Sequence, residues 1–277
     1  MDNKELLKTC QTVRVDIVNM VGHAGSGHCG GSLSAVEIVV GLYFGGIFRH
    51  DAKNAQWQGR DRFILSKGHA APVIYSVLAR KGFYGVARLD TLRKLGSILQ
   101  GHPNAEKTPG IDCSSGSLGQ GLSISNGLGI AFKKLNMDNR VYCLMGDGEL
   151  QEGQIWEAAM TAKQHKLDNI CAIVDCNNVQ LDGTVSEIKD LHPLREKWLA
   201  FGWHVIELDG HNIEQVIESF RKAADIKGLP TVLLCHTIKG KGISYMENRC
   251  EWHGTAPNAQ QLEKALKEIH KELRGMG

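Results

Sequence analysis

The chain has 277 residues, 42% of them hydrophobic and 22% charged, and a formal net charge of +2. That length suits one large α/β domain or two small ones, and the near-neutral balance offers no footprint for nucleic acid or for a polybasic membrane patch. No apolar run approaches the roughly 20 residues of a membrane span, and the start, Met1-Asp2-Asn3-Lys4-Glu5, lacks a signal-peptide pattern, so a cytoplasmic protein is expected.

From the amino end, hydrophobic periodicity predicts helices over residues 5–21 and 34–44. A short strand at 62–65 is followed by helices at 70–81 and 119–134. Strand 141–145, helix 153–165 and strand 170–174 come next. Helix 193–201, strand 203–208, helix 213–227 and strand 231–236 complete the alternation, and residues 258–275 read as a helical tail. The strands are continuous apolar runs without period-2 alternation. That predicts a mostly parallel sheet covered by helices on both faces, as a single domain over 1–277. The eight cysteines form no C-x-x-C, and most sit in apolar runs, as Cys143, Cys171 and Cys235 do. Reduced, buried thiols are expected rather than a disulfide framework or a zinc site.

In such sheets ligands bind beyond the carboxyl ends of the strands. Four loops sit there: Ser66-Lys67-Gly68-His69, Gly146-Asp147-Gly148, Asp175-Cys176-Asn177-Asn178 and Thr237-Ile238-Lys239-Gly240-Lys241-Gly242. Asp147 offers a charged oxygen and Asn177 a neutral carbonyl oxygen, the hard ligands that a Mg²⁺-bound diphosphate takes from a protein. Gly146 and Gly148 let the backbone approach the anion, and the helix after Gly148 can aim its N–H groups at it. Alone, Gly146-Asp147-Gly148 would read as a turn with a capping aspartate. Its pairing with a second strand that ends in Asn177-Asn178 favours the metal-diphosphate reading.

This pair resembles the thiamine diphosphate motif, and its surroundings resemble transketolase. The resemblance rests on the run from Gly146 through Glu149-Leu150-Gln151-Glu152-Gly153 to Ala158, and on Ser26-Gly27-His28, Ser66-Lys67-Gly68-His69-Ala70, Gly101-His102-Pro103, Gly116-Ser117-Leu118-Gly119-Gln120-Gly121 and Trp252-His253-Gly254. It extends in the family's order from about residue 9 to 257. It implies thiamine diphosphate with Mg²⁺, or Ca²⁺ or Mn²⁺ in its place, and the transfer of a two-carbon ketol unit from a ketose to an aldose. Asp147, Asn177 and the carbonyl of Val179 match the metal ligands. Gly148, Lys239, His69 and His253 match contacts near the diphosphate. Gly116, Ser117 and Leu118 match the aminopyrimidine end. His28 and His102, with His69 and His253, match the catalytic histidines that face the sugar, where imidazole suits proton movement near neutral pH. Glu149 falls among the cofactor-side residues, where it complements a helix dipole. Glu152 and Glu157 match acidic residues at the family's subunit interface. Read singly, each histidine could be an ordinary loop or cap residue; their place in four recognisable loops favours function.

Cys29 stands where many relatives have proline and Asn104 where many have glutamate, and both lie near the presumed sugar site. Single-chain transketolases have three domains, and this chain matches the first. The resemblance therefore implies a second polypeptide with pyrimidine-binding and C-terminal domains. That chain would supply the glutamate that protonates the aminopyrimidine, in an α2β2 assembly. Sugar phosphates or related sugars are the expected substrates, with their far end read by the partner chain. Another thiamine diphosphate enzyme, such as deoxyxylulose-phosphate synthase, and a non-catalytic remnant are the competing readings. Gly22, Gly25 and Gly27 lack the spacing and the preceding strand of a dinucleotide fingerprint.

Overall fold

A computed structural model describes residues 1–276. Five strands, β1 (Arg62–Leu65), β2 (Val141–Gly146), β3 (Ile170–Cys176), β4 (His204–Asp209) and β5 (Thr231–His236), form one parallel sheet in the order β1-β2-β3-β5-β4. The helices are α1 (Asn3–Ala24), α2 (Cys29–Leu33), α3 (Val36–Phe44), α4 (Ala71–Arg80), α5 (Gly121–Lys134), α6 (Gly153–Gln164), α7 (Val185–Lys189), α8 (Leu194–Ala200), α9 (Ile213–Asp225) and α10 (Ala259–Gly275).

Each strand feeds two cores, because successive side chains point to opposite faces. Tyr142 and Leu144 of β2 join the core under α1, α3, α4 and α9. Cys143 and Met145 join the core under α5, α6 and α8. This double burial is why the strands read as unbroken apolar runs. The chain steps from β1 to β2 to β3 in one direction, with α5 and α6 on one face. From β4 it steps back to β5, and α9 lies on the other face, as right-handed crossovers require.

The edge strand departs from expectation. Predicted as a buried run at 203–208, β4 is half-exposed along most of its length, since β5 pairs with it on one side alone. Trp203, just ahead of it, is buried and donates its indole N–H to the Ala159 carbonyl at 3.1 Å. The helix expected at 34–44 is present as α3, begun two residues later, and a short helix that was not expected, α2, precedes it. α2 begins at Cys29, and the chain breaks at Ser34-Ala35 before α3. Ser34 turns its hydroxyl inward, donating to Asp175 at 2.6 Å. The tail is α10, opened by a capping box between Asn258 and Gln261. It packs on α1, where a Cβ on Gly22 would come within 2.9 Å of Leu262.

Candidate active site

The carboxyl ends of β1, β2, β3 and β5 deliver the four loops to one place. A buried ion pair ties them together: Lys67, after β1, contacts Asp175 near the end of β3. Asp175 also accepts from Ser34, from Thr237 after β5, and from the Asn177 amide at 3.1 Å. Burial alone would raise the Asp175 carboxyl, yet Lys67, Ser34 and Thr237 together hold it below the usual carboxylate range. Lys67 and Asp175 are 1% and 0% exposed, so removing either partner would leave a buried charge without its counter-ion.

Beside this pair lies a cavity of about 280 Å³ lined by Gly31, Lys67, His69, Leu118, Asp147, Gly148, Glu149, Glu152, Asn177, Val179, Lys239 and His253, among others. The oxygen-bearing residues are held by the backbone around them. Asp147 accepts from the N–H groups of Gly148 at 2.8 Å and Asn178 at 2.5 Å. Asn177 Oδ1 accepts from the Val179 N–H at 3.1 Å. The Val179 carbonyl accepts from Lys239 at 2.8 Å. Burial, followed by the nearby Asp175 charge, pushes the Asp147 carboxyl up to about 6. One carboxylate, one amide oxygen and one backbone carbonyl form a donor set suited to a hard divalent cation that keeps further positions for phosphate and water. Two of the lining residues are glycines packed closely against neighbouring side chains. A Cβ on Gly148 would come within 3.2 Å of Gln180, and one on Gly31 within 3.2 Å of His69. Lys239 is almost fully buried, and burial followed by the Lys67 charge brings its ammonium down to about 8. A bound diphosphate would reverse that penalty. The site therefore fits a metal-diphosphate group.

Four histidines form one cluster over this floor. His28 lies 5.3 Å from His69, 6.3 Å from His102 and 5.5 Å from His253 between ring centroids, and His69 lies 4.9 Å from His253. His253 Nδ1 is 2.7 Å from the Lys239 ammonium. Burial, then the charges of Arg93, His102 and Lys239, lowers His28 to about 4. Burial, then Lys239, lowers His253 to about 3. Burial also lowers His69 and His102. All four rings are thus neutral near pH 7, each able to donate at one nitrogen and accept at the other. His28 Nδ1 is buried and has no hydrogen-bond partner among the described residues. Because His28 is neutral in the fold while an unfolded histidine protonates near 6.5, its contribution to stability is present above that value and is lost as pH falls toward 4. The His28 C2–H resonance is expected to stay fixed from pH 8 to about 5.5, where an unperturbed imidazole would be almost fully titrated. Movement centred near 6.5 would contradict it.

The remaining expected residues fall as follows. Gly116 packs against His102, its would-be Cβ lying 3.5 Å from the ring, and Ser117 is exposed beside it. Leu118 lines the cavity. Glu152 and Glu157 are both exposed at the start of and along α6. Glu149 does not head a long helix, since a four-residue 3₁₀ turn, Gly148–Gln151, precedes α6. Its carboxylate accepts from Ser66 and from the N–H groups of Gly119 at 2.9 Å and Gly146 at 3.0 Å. It clamps three loops together in place of complementing a helix dipole. Lys67, Asp175, Gln180 and Gly31 are site residues that sequence reasoning left without a role. A lone aspartate within the apolar run 170–176 was the available signal for Asp175.

Residues 5–272 match the family model described as transketolase, thiamine diphosphate binding domain. The 6-deoxy-6-sulfo-D-fructose transketolase subunit SqwG of Clostridium sp. (strain MSTE9) is 41% identical over 268 residues, covering 97% of each chain. An apulose-4-phosphate transketolase subunit of Phocaeicola vulgatus is 44% identical over 260 residues, covering 94% of this chain and 92% of that one. The crystal structure of transketolase from Campylobacter jejuni superposes with a TM-score of 0.91 at 32% identity, over 98% of this chain. The chain spans 43% of that transketolase's length.

Proposed function

The chain belongs to the transketolase family, and from that premise we propose that it is the diphosphate-binding subunit of a two-chain transketolase, a transferase that moves a two-carbon ketol unit from a ketose to an aldose. The observation that carries the reading is the meeting of the Asp147, Asn177 and Val179 oxygens with His69 and His253 at one cavity, with His28 and His102 clustered beside those two rings.

In this reading Asp147, Asn177 and the Val179 carbonyl hold Mg²⁺, or Ca²⁺ or Mn²⁺. Gly148, Lys239, His69 and His253 receive the diphosphate, and Gly116, Ser117 and Leu118 border the aminopyrimidine. Thiamine diphosphate, when bound, supplies the carbon nucleophile and the electron sink. The chain's own work is to orient and to move protons. His28 and His102 hydrogen-bond the sugar's carbonyl and hydroxyl oxygens, and neutral imidazole can take up or deliver the proton there. Relatives matched over almost their whole length carry subunit names, which supports a partner chain with the pyrimidine-binding and C-terminal domains. Glu152 and Glu157 lie at that contact, and the assembly is α2β2. All eight cysteines are free thiols, which fits a cytoplasmic setting. Both relatives are named for sugars that carry an anionic group, a sulfonate or a phosphate, and the substrates proposed here belong to that class.

The test supplies the reconstituted complex with either a ketose phosphate or pyruvate as donor, with an aldose phosphate as acceptor. Turnover with the ketose alone is expected. Turnover with pyruvate would move the chain to the deoxyxylulose-phosphate synthase type, and none with either donor would leave it non-catalytic.

A further inference from the structure

A second cavity, of about 270 Å³, lies between the segments 55–60 and 105–111 and shares no lining residue with the one lined by Asp147 and Asn177. Gln56, Glu106 and Lys107 stand exposed on its rim, and its buried lining residues are Arg60 and Thr108. The Thr108 hydroxyl is already committed, donating to the Ile98 carbonyl at 2.5 Å. Arg60 is 7% exposed, so a guanidinium forms part of the cavity floor.

The protein satisfies only half of that guanidinium. Nη1 lies 2.5 Å from Asp112 Oδ1 and donates to the Asp61 carbonyl at 3.4 Å. Asp112 is shared, because Arg62 Nε lies 3.5 Å from the same oxygen and the Phe63 N–H donates to Oδ2 at 2.8 Å. The neighbouring Asp61 carboxylate is taken by Arg49. One carboxylate thus serves two arginines, and burial followed by the Arg60 charge lowers the Arg62 guanidinium. On the opposite edge of Arg60, Nε is buried and has no hydrogen-bond partner among the described residues, and Nη2 has none either. Nε and Nη2 together form the fork that takes two oxygens of one anion. At the rim Glu106 and Lys107 balance each other, so Arg60 sets the sign of the cavity.

We infer that this cavity binds a small oxyanion, a phosphate or carboxylate group, on the Nε–Nη2 edge of Arg60, and that the occupant steadies the loop 103–115. That loop is closed at its neck by the Ser115 N–H to the Pro103 carbonyl at 3.2 Å and by the Ala105 N–H to Ser114 Oγ at 3.0 Å. Its two ends adjoin His102 and Gly116. Asn104 Oδ1 accepts from the N–H groups of Glu106 and Lys107, both at 3.0 Å, so the turn that walls the cavity starts two residues after His102. An anion on Arg60 joins that turn to the start of β1. It acts from outside the metal-diphosphate cavity, as an effector and not as a substrate, and its binding requires no ketol transfer.

The full chain is titrated with inorganic phosphate, with acetate, and with sodium chloride at matched ionic strength. The Arg60 Nε–H and the Thr108 and Gly110 amide resonances report this cavity, while the Gly148 amide reports the metal-diphosphate site. Saturable shifts are expected at the first three, half-complete at about 1 mM phosphate and absent with chloride. Tighter binding of phosphate than of acetate would identify a phosphate ester as the occupant, and the reverse a carboxylate. Arg60→Lys keeps a cation against Asp112 but loses the fork, and it should weaken binding about 10–100-fold. Ala55, half-buried in the cavity wall, offers a second variant that leaves Arg60 in place. Ala55→Leu fills the space and should abolish the shifts. With the site occupied, hydrogen exchange at the Ala105 and Ser115 amides should slow at least about 3-fold. Shifts confined to Gly148, equal shifts with chloride, or unchanged binding in either variant would overturn the site. Saturation without slowed exchange would overturn its hold on the loop.

Discussion

Asp147→Asn is expected to abolish Mg²⁺-dependent retention of thiamine diphosphate while leaving the ligand-free chain close to its original melting temperature. The two halves of that result have separate causes. Asp147 is 7% exposed, and burial followed by its neighbour Asp175 lifts its carboxyl to about 6. An acid whose folded value lies above its unfolded value costs stability once pH exceeds both, here about 3 kcal/mol at neutral pH. Asparagine removes that cost. It also removes an acceptor, because the two carboxylate oxygens each take an N–H, from Gly148 and Asn178. An amide satisfies one of them and leaves the other unpaired, at about 1–3 kcal/mol. Relief and loss roughly offset each other. Cofactor binding has no such compensation, because the charged ligand of the cation is gone. In the unsubstituted chain, ligand at 100 times its dissociation constant adds about 2.7 kcal/mol, or roughly 5–10 °C at this size. In Asp147→Asn that shift should vanish, with affinity by calorimetry down more than about 100-fold. Unchanged affinity would show that the metal is held elsewhere.

The fold was legible in the sequence wherever one residue's environment repeats along an element. Residues 141–145 and 170–174 read as strands because both of their faces are covered, so every position is apolar. The reading slipped where tertiary contacts outvote the local pattern. Ser34 resembles a helix residue on the chain, but Asp175 draws its hydroxyl inward and a helix ends there. Val205 and Ile206 look like core strand residues, yet no further strand covers their edge.

The candidate site divides along the same line. The residues proposed to meet a ligand, such as Asp147, Asn177, His28 and His102, lie in short motifs of the sequence, and the structure brings their loops together. Residues that hold those groups in place could not be picked out in the sequence, because their partners are remote. Lys67 and Asp175 are 108 positions apart, and Ser66 and Glu149 are 83 apart. Glu149 shows the cost of the local view. Its position two residues after Asp147 suggested a helix dipole, but its three partners come from β1's loop, β2's last residue and the loop before α5.

The isolated chain is expected to turn over at less than about 1% of the reconstituted complex, a deficit of at least about 2.7 kcal/mol in barrier. The carboxylates around the cavity explain why. Activating thiamine diphosphate requires an acid at the aminopyrimidine end, which the proposed function places near Gly116 and Leu118. Three carboxylates line the cavity: Asp147, Glu149 and Glu152. Asp147 is committed to the N–H groups of Gly148 and Asn178 and, by proposal, to the metal. Glu149 is buried and already accepts from three donors, so using it would release three loops. Glu152 is exposed, on a surface that another chain can cover. The four imidazoles are clustered and, by proposal, serve the sugar oxygens. Each group therefore has a task other than starting the reaction. Mixing the chain with its partner at rising ratio should restore ketol transfer to saturation at equal subunit numbers, read together with mass by light scattering. Full activity from the purified chain alone would mean that one of these committed carboxylates starts the chemistry, with Glu149→Gln then the substitution that identifies it.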